Sequence, residues 1–163
     1  MPVEVRPVSS KRERDAFIKL PWRLYAGESN WVAPLLFERR KFLDPRKNPF
    51  FQHAQVQLFL AYRDDRVVGR ISAHVDENLD AFQGTHWGLF GFFECEDDPE
   101  AARALLDAAE TWLRARGRPN MVGPMDFTTN DECGLLIEGF DSPPVALMTY
   151  NPPRYSDYIE QAG

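Results

Sequence analysis

The residues best equipped for chemistry lie in two acidic segments and a late tyrosine pair. The stretch Glu94-Cys-Glu-Asp-Asp-Pro-Glu100 packs five carboxylates and a thiol into seven residues. Glu94 closes an aromatic-rich strand, where a carboxylate can take a proton from an amine nucleophile directly or through water. Cys95 has no cationic neighbour in sequence to lower its pKa, and the negative turn raises it, so thiolate chemistry is not expected there. The second segment, Gly123 to Glu132, leaves a strand end carrying Asp126, Asn130, Asp131 and Glu132. Loops at strand ends build ligand pockets on rigid scaffolds, and these groups suit an amine or a hydroxylated substrate. Trp22, Tyr25, Trp31 and Phe51 would form the matching apolar wall. Tyr155 and Tyr158 complete the set. Each reading has a plainer rival: Glu94 as a solvated helix-start carboxylate, the loop as a polar surface with Asx-turns, the tyrosines packed on a sheet with wet hydroxyls, and the aromatic wall as core. Glu94 to Asp98 with His74 and His86 supply metal-ligand types, but their spacing matches neither a zinc nor a calcium pattern, so no metal is expected.

These groups need a frame. Val3 to Val8 alternates as a short strand. Ser10-Lys-Arg-Glu13 is a capping box that starts a helix at Lys11, which Pro21 must kink or end. Ala33 to Phe42 reads as a second short helix. Gln55 to Arg63 and Val67 to Val75 read as a hairpin turning at Asp64-Asp65, with Arg70, Ser72 and His74 as a polar row on one side of the second strand. Glu77 to Phe82 is a helical turn. His86 to Cys95 is a strand, and Asp98 caps a helix with Pro99 at its first position. Ala102, Leu105, Leu106, Ala109, Trp112 and Leu113 share one face of that helix, and Gly117 stops it. Pro119 to Met125 reads as the next strand, closing a βαβ unit. Further strands are expected at Leu135–Glu138 and Val145–Tyr150, and a final helix from Pro152 to Ala162 with Asn151 as N-cap. A hairpin followed by βαβ implies an α/β fold, a mixed sheet with helices on both faces.

Composition narrows the function classes. The chain has 163 residues, 44% of them hydrophobic and 27% charged, values ordinary for one globular domain. A formal net charge of −6 disfavours nucleic-acid partners. There is no 18-residue apolar run and no signal pattern, which reads as a cytoplasmic protein without a membrane partner. Two cysteines are too few for a disulfide framework. In most such βαβ turns backbone N–H groups hold an anionic ligand. Here carboxylates occupy that turn, and no glycine lets a ligand approach.

The order of elements resembles the GNAT acyltransferase superfamily. A closer resemblance, to the N-terminal part of an uncharacterised bacterial GNAT-like family, is carried by Leu20-Pro-Trp-Arg-Leu-Tyr25, Asn30-Trp-Val-Ala-Pro-Leu35, Asn48-Pro-Phe50, Val68-Gly-Arg-Ile71, Gly91-Phe-Phe-Glu94, Val122-Gly-Pro124, Glu138-Gly-Phe-Asp141 with Pro143-Pro144, and Asn151-Pro-Pro-Arg-Tyr155. The resemblance implies an acyl-CoA-dependent N-acyltransferase using acetyl-CoA or another acyl-CoA, with an amine attacking the thioester directly. It implies that strands Leu89–Cys95 and Met121–Met125 splay apart and hold the pantetheine by backbone groups, with Phe92, Phe93, Cys95, Asn151 and Tyr155 as cofactor contacts. Tyr158 would be the general acid for the departing thiolate and Glu94 the base. Trp22, Tyr25, Asp126, Asn130 and Glu132 would face a small-molecule acceptor. Two departures stand out. The Gln/Arg-x-x-Gly-x-Gly/Ala loop for the CoA pyrophosphate is replaced by Glu96-Asp-Asp-Pro-Glu-Ala101, and the last hairpin of the family is missing. The alternative is therefore a non-catalytic binding module of the same fold. A sheet ending at Val145–Tyr150 would leave an edge open to homodimer pairing.

Overall fold

The computed structural model describes residues 1–163. Five strands form one sheet in sequence order: β1 (Val3–Pro7), β2 (Ala54–Arg63), β3 (Arg66–Asp76), β4 (Trp87–Cys95) and β5 (Asn120–Val122). The first four run antiparallel, and β5 is parallel to β4. That parallel step needs a crossover, supplied by α4 (Pro99–Arg114). On one face α4 and α5 (Arg154–Ala162) bury Leu105, Leu106, Leu113 and Tyr155 against Ile71, Ala73, Phe90 and Phe93. On the other face α1 (Lys11–Leu24), α2 (Leu36–Phe42) and a 3₁₀ turn (Pro49–Gln52) bring Phe17, Ile18 and Phe50 against Leu60, Phe92 and Phe127. The short α3 (Glu77–Gln83) joins β3 to β4 and buries nothing.

Local rules account for most helix boundaries. The Ser10 hydroxyl accepts the Glu13 N–H at 3.1 Å while the Glu13 carboxylate accepts the Ser10 N–H at 2.9 Å. The Asp98 carboxylate accepts the Ala101 N–H at 3.1 Å, and Pro99 follows as first helical residue. Gly117, at φ +73°, lies just past the end of α4, a conformation that glycine adopts without strain. Pro21 neither ends nor breaks α1, which runs on to Leu24. With no N–H at Pro21, the Phe17 carbonyl one turn earlier has no intrahelical donor. The Arg70 Nη1 donates to it instead at 2.7 Å.

Several expected elements differ from those observed. The second helix starts at Leu36 rather than Ala33, because Pro34 and the extended Leu35 precede it. The strand after α4 is only Asn120–Val122. Leu135–Glu138 is not a strand; the pairing beyond β5 is a single Met125–Cys133 bridge closing the 126–132 loop. Val145–Tyr150 is not a strand either, so the edge beyond β4 is β5 itself. Asn151 does not cap α5, whose N-cap is Pro153 without a side-chain bond. The Asn151 amide accepts the Leu136 N–H at 2.7 Å and donates to the Leu136 carbonyl at 3.2 Å, tying the loop to the helix start. Its side chain was used at long range, which no local pattern could reveal.

The sheet is distorted where β4 meets β3. Arg70 pairs with Glu94 but Ser72 pairs with Gly91, so β4 carries an extra residue. Such a bulge bends a strand and re-aims its side chains. Phe92 within it sits at φ +52°, a conformation unusual for a bulky residue and held only where surroundings enforce it. Beyond the Leu89–Val122 pair the chain after β5 crosses tightly over β4: a Cβ on Gly91 would lie 2.0 Å from the Met125 carbonyl oxygen. Gly91→Ala is therefore expected to lower unfolding free energy by about 1–3 kcal/mol through overpacking, measured by urea denaturation. An unchanged midpoint would show that the crossing has room to relax.

Candidate active site

The β4 bulge leaves backbone groups without ladder partners, and buried groups of that kind need others. The Phe92 N–H donates to Asp126 Oδ1 at 2.8 Å, and the Phe92 carbonyl accepts from Arg70 Nε at 3.0 Å. Arg70 is buried, with its guanidinium 4.9 Å from the Phe17 ring centre and 5.5 Å from that of Phe92. Burial pulls its pKa down, opposed by the charges of Glu94 and Asp126. The polar row on β3 thus faces a covered surface rather than water: Arg70, Ser72 and His74 are all buried. His74 lies beside Phe50 and Phe127, and burial lowers it to about 4, so it is neutral in the folded state.

One residue past the bulge, Glu94 turns toward α1. Its Oε2 accepts the Tyr25 hydroxyl at 2.7 Å and the Tyr155 hydroxyl at 2.8 Å. The two tyrosines approach from opposite directions, one just past the end of α1 and the other in the first turn of α5. The Tyr155 oxygen also accepts the Cys95 N–H at 2.7 Å and lies 3.0 Å from the Cys95 carbonyl, the other position to which its single proton can point. Burial raises Glu94 to about 7, against the opposing pull of Arg70 and the two hydroxyls; Glu132 adds to the rise. Asp126 is raised to about 7 by burial and by Glu132, with the Phe92 N–H opposing. Glu132 is raised in the same direction by burial, but its residue is open to solvent, which screens the effect. Above about pH 7, where Glu94 and Asp126 ionise, three carboxylates face one buried guanidinium.

The structure gathers most of the candidate residues. Glu94, Asp126, Glu132, Phe92, Phe93, Asn151 and Tyr155 line one cavity of ≈50 Å³ together with Arg70 and Tyr150. Tyr25 reaches it through Glu94 and stacks on Trp31, with ring centres 5.2 Å apart. Other candidates lie outside. The Tyr158 hydroxyl donates to Asp97 at 2.8 Å on the surface. Asn130 is exposed at the loop tip. Trp22 packs edge-on against Trp31, 5.6 Å away. The Cys95 thiol is buried, its Sγ 3.7 Å from the Asp98 carbonyl, and burial pushes it up to about 12. Arg70 and Tyr150 were not anticipated; the signal for Arg70 was the polar row on β3.

The acidic turn is less negative than it reads. Arg63 forks onto Asp98 at 2.5 and 2.9 Å and reaches Glu100 at 2.6 Å. Arg23 and Arg66 each reach Glu96 at 2.6 Å. No group of His, Cys, Asp and Glu side chains is arranged to hold a metal ion. No helix is long and apolar enough to cross a membrane.

The chain is 48% identical over 162 residues to the bacterial ceramide synthase of Caulobacter vibrioides, which aligns with 99% of this chain and 42% of that protein. It is 41% identical over 159 residues to Protein YghO of Escherichia coli K12, covering 98% of this chain and 40% of the relative. The chain thus spans about two fifths of the length of the curated relatives it matches. No family model matches it. Among solved structures, an aminoglycoside acetyltransferase from an uncultured soil metagenomic sample, in complex with sisomicin, superposes with a TM-score of 0.55 at 11% identity, covering 98% of this chain and 86% of that one. A Pyrococcus furiosus protein named as an acetyl transferase superposes at 0.54 and 14% identity, covering 98% and 93%. The fold is that of the GNAT acetyltransferases, as the order of elements suggested.

The raised carboxyls make a stability prediction whose sign is fixed. A folded pKa above the unfolded one means the folded state binds more protons, so stability falls as pH rises between the two values. For Asp126 that window runs from 3.8 to about 7. His74 acts oppositely, from 6.5 down to about 4, so the comparison is made against a variant. Asp126→Asn keeps an acceptor for the Phe92 N–H but cannot ionise. Relative to it, the wild type should lose about 2–4 kcal/mol on going from pH 4 to pH 8, read from urea melts at each pH. Parallel curves would contradict the raised pKa.

Proposed function

We propose that this chain carries the catalytic face of an N-acyltransferase that moves an acyl group from a CoA thioester to the amine of a long-chain amino alcohol. The observation that carries the reading is the Glu94 carboxyl, half-buried near the end of a bulged GNAT-type strand, held by two tyrosine hydroxyls and raised to about 7. A base with that pKa suits proton removal near neutrality. The neighbouring carboxyls of Asp126 and Glu132 favour an ammonium headgroup over an anion. The name of the Caulobacter relative supports the substrate class, since a ceramide is an N-acylated long-chain amino alcohol.

The donor would meet different surroundings at its two ends. The splay expected between Leu89–Cys95 and Met121–Met125 is absent: past Leu89 and Val122 the Met125 N–H donates to the Phe90 carbonyl at 2.8 Å and the backbones touch at Gly91. A thioester would therefore reach Glu94 from the side of the carboxylate cavity rather than between the strands. At the phosphate end, Asp98 already caps Ala101 and arginines pin the neighbouring carboxylates. With the α4 amides capped, a CoA diphosphate would have to compete with Asp98, Glu100 and Glu96 for Arg63 and Arg66. When bound, an acyl-CoA supplies a carbonyl at which the N–C bond forms as the C–S bond breaks, the second proton of the amine leaving with the sulfur as free CoA thiol. Glu94 Oε1, the oxygen not bonded to the tyrosines, accepts the proton that frees the amine lone pair. Tyr25 and Tyr155 hold that carboxylate in place, and Arg70 limits how far its pKa rises. Tyr25 stacks on Trp31 and meets Tyr150 edge-on, so aromatic rings flank the base.

The capped α4 amides favour one rival, a binding module of the same fold that does not use CoA. Thiol release from an acyl-CoA in the presence of a long-chain amino alcohol decides between them. Glu94→Gln should lower kcat by roughly 10²–10⁴-fold while leaving calorimetric donor affinity nearly unchanged. The wild-type rate should rise with pH to a plateau above about 7, the value of Glu94, and the variant should lose that limb. Absence of both CoA binding and thiol release would favour the module.

A further inference from the structure

The carboxylate cavity shares a wall with a much larger apolar groove. Leu135, Thr149 and Tyr150 line both the ≈50 Å³ polar cavity and a groove of ≈520 Å³ formed by residues 133–150. The cavity has room for little more than a headgroup the size of a water or two. The groove is walled by Leu136, Ile137, Val145 and Met148. Of these, Ile137, Val145 and Met148 are 72%, 74% and 58% exposed, and the adjacent Leu147 is 67% exposed. Large apolar side chains clustered in the open mark a binding surface. The segment is also pinned: Asn151 bonds both backbone groups of Leu136, Asn30 Nδ2 donates to the Phe140 carbonyl at 3.1 Å, and the Tyr150 hydroxyl donates to Glu28 at 3.1 Å. A groove held in shape from three sides is largely pre-formed, as ligand sites are.

We propose that this groove binds the hydrocarbon tail of a single-chain primary amine whose ammonium group sits among Glu94, Asp126 and Glu132. The inference rests on the amine-acceptor reading above, and it adds where the rest of the acceptor lies. Adjacency decides the occupant: Leu135, Thr149 and Tyr150 border both the carboxylate cavity and the groove, so a chain attached to a headgroup in the cavity has this apolar surface directly beside it. The acceptor is thereby selected for length as well as for charge.

The test is calorimetric titration with butylamine, octylamine and dodecylamine, each below its aggregation concentration. Affinity should rise two- to fourfold per added methylene, the upper value being full burial at about 0.8 kcal/mol, until the groove is filled. Ile137→Glu and Met148→Glu alter exposed side chains and should flatten that rise while leaving butylamine affinity within twofold. Asp126→Asn should weaken all three amines by a similar factor. A series without length dependence, with butylamine still bound, overturns the tail site and leaves the headgroup site standing. A rise that persists in both glutamate variants places the tail elsewhere and also overturns it. Failure of every amine to bind overturns the acceptor reading itself. A flat series combined with anionic-vesicle binding that the glutamate variants abolish would assign the face to a bilayer, contrary to the proposal.

Discussion

Arg70 joins two backbone defects that the fold cannot do without. Pro21 strips the Phe17 carbonyl of its helical donor, and the β4 bulge strips the Phe92 carbonyl of its ladder donor. One buried guanidinium serves both, at 2.7 and 3.0 Å. Each unpaired buried carbonyl would cost about 1–3 kcal/mol, so α1, the bulge and the arginine stand or fall together. The bulge in turn carries Glu94 to the α1 side of the sheet, where Tyr25 waits just past the end of the same proline-containing helix. A helix irregularity and a strand irregularity thus hold one carboxyl in one place.

The same arginine sets the electrostatics. Three carboxyls converge where one positive charge is buried, so burial is only partly offset and Glu94 and Asp126 both move up to about 7. Elsewhere the charges are matched. The turn before α4 looks strongly acidic in sequence, yet Arg23, Arg63 and Arg66 neutralise most of it from β3 and from residues distant in the chain. Excess negative potential is therefore concentrated at the cavity rather than spread over the turn. That contrast separates the place where a cationic acceptor is favoured from the place where an anionic donor could lie.

Much of this was legible from local chemistry. The capping box at Ser10, the Asp98-Pro99 helix start and the hairpin at Asp64-Asp65 obey rules that need only neighbouring residues. Glu94, Asp126 and Tyr155 were recognisable as reactive types at element ends. What escaped was set by distance in sequence. Nothing near Arg70 indicates that its partners are the carbonyls of residues 17 and 92. The apolar segments at 135–138 and 145–150 have strand-like composition, but Asn151 and Asn30 hold this stretch in an irregular path. Tyr155 and Tyr158 lie one turn apart on α5, and only the position of α5 over β4 decides that the earlier one meets Glu94.

The central claim is that incomplete compensation of burial tunes Glu94. The most direct measurement is a ¹³C NMR titration of its side-chain carboxyl, assigned by comparison with Glu94→Gln. The account predicts a midpoint near 7, as burial dictates. A midpoint at the ordinary glutamate value of about 4.3 would contradict it, because the carboxyl would then be solvated and unfit to serve as the base.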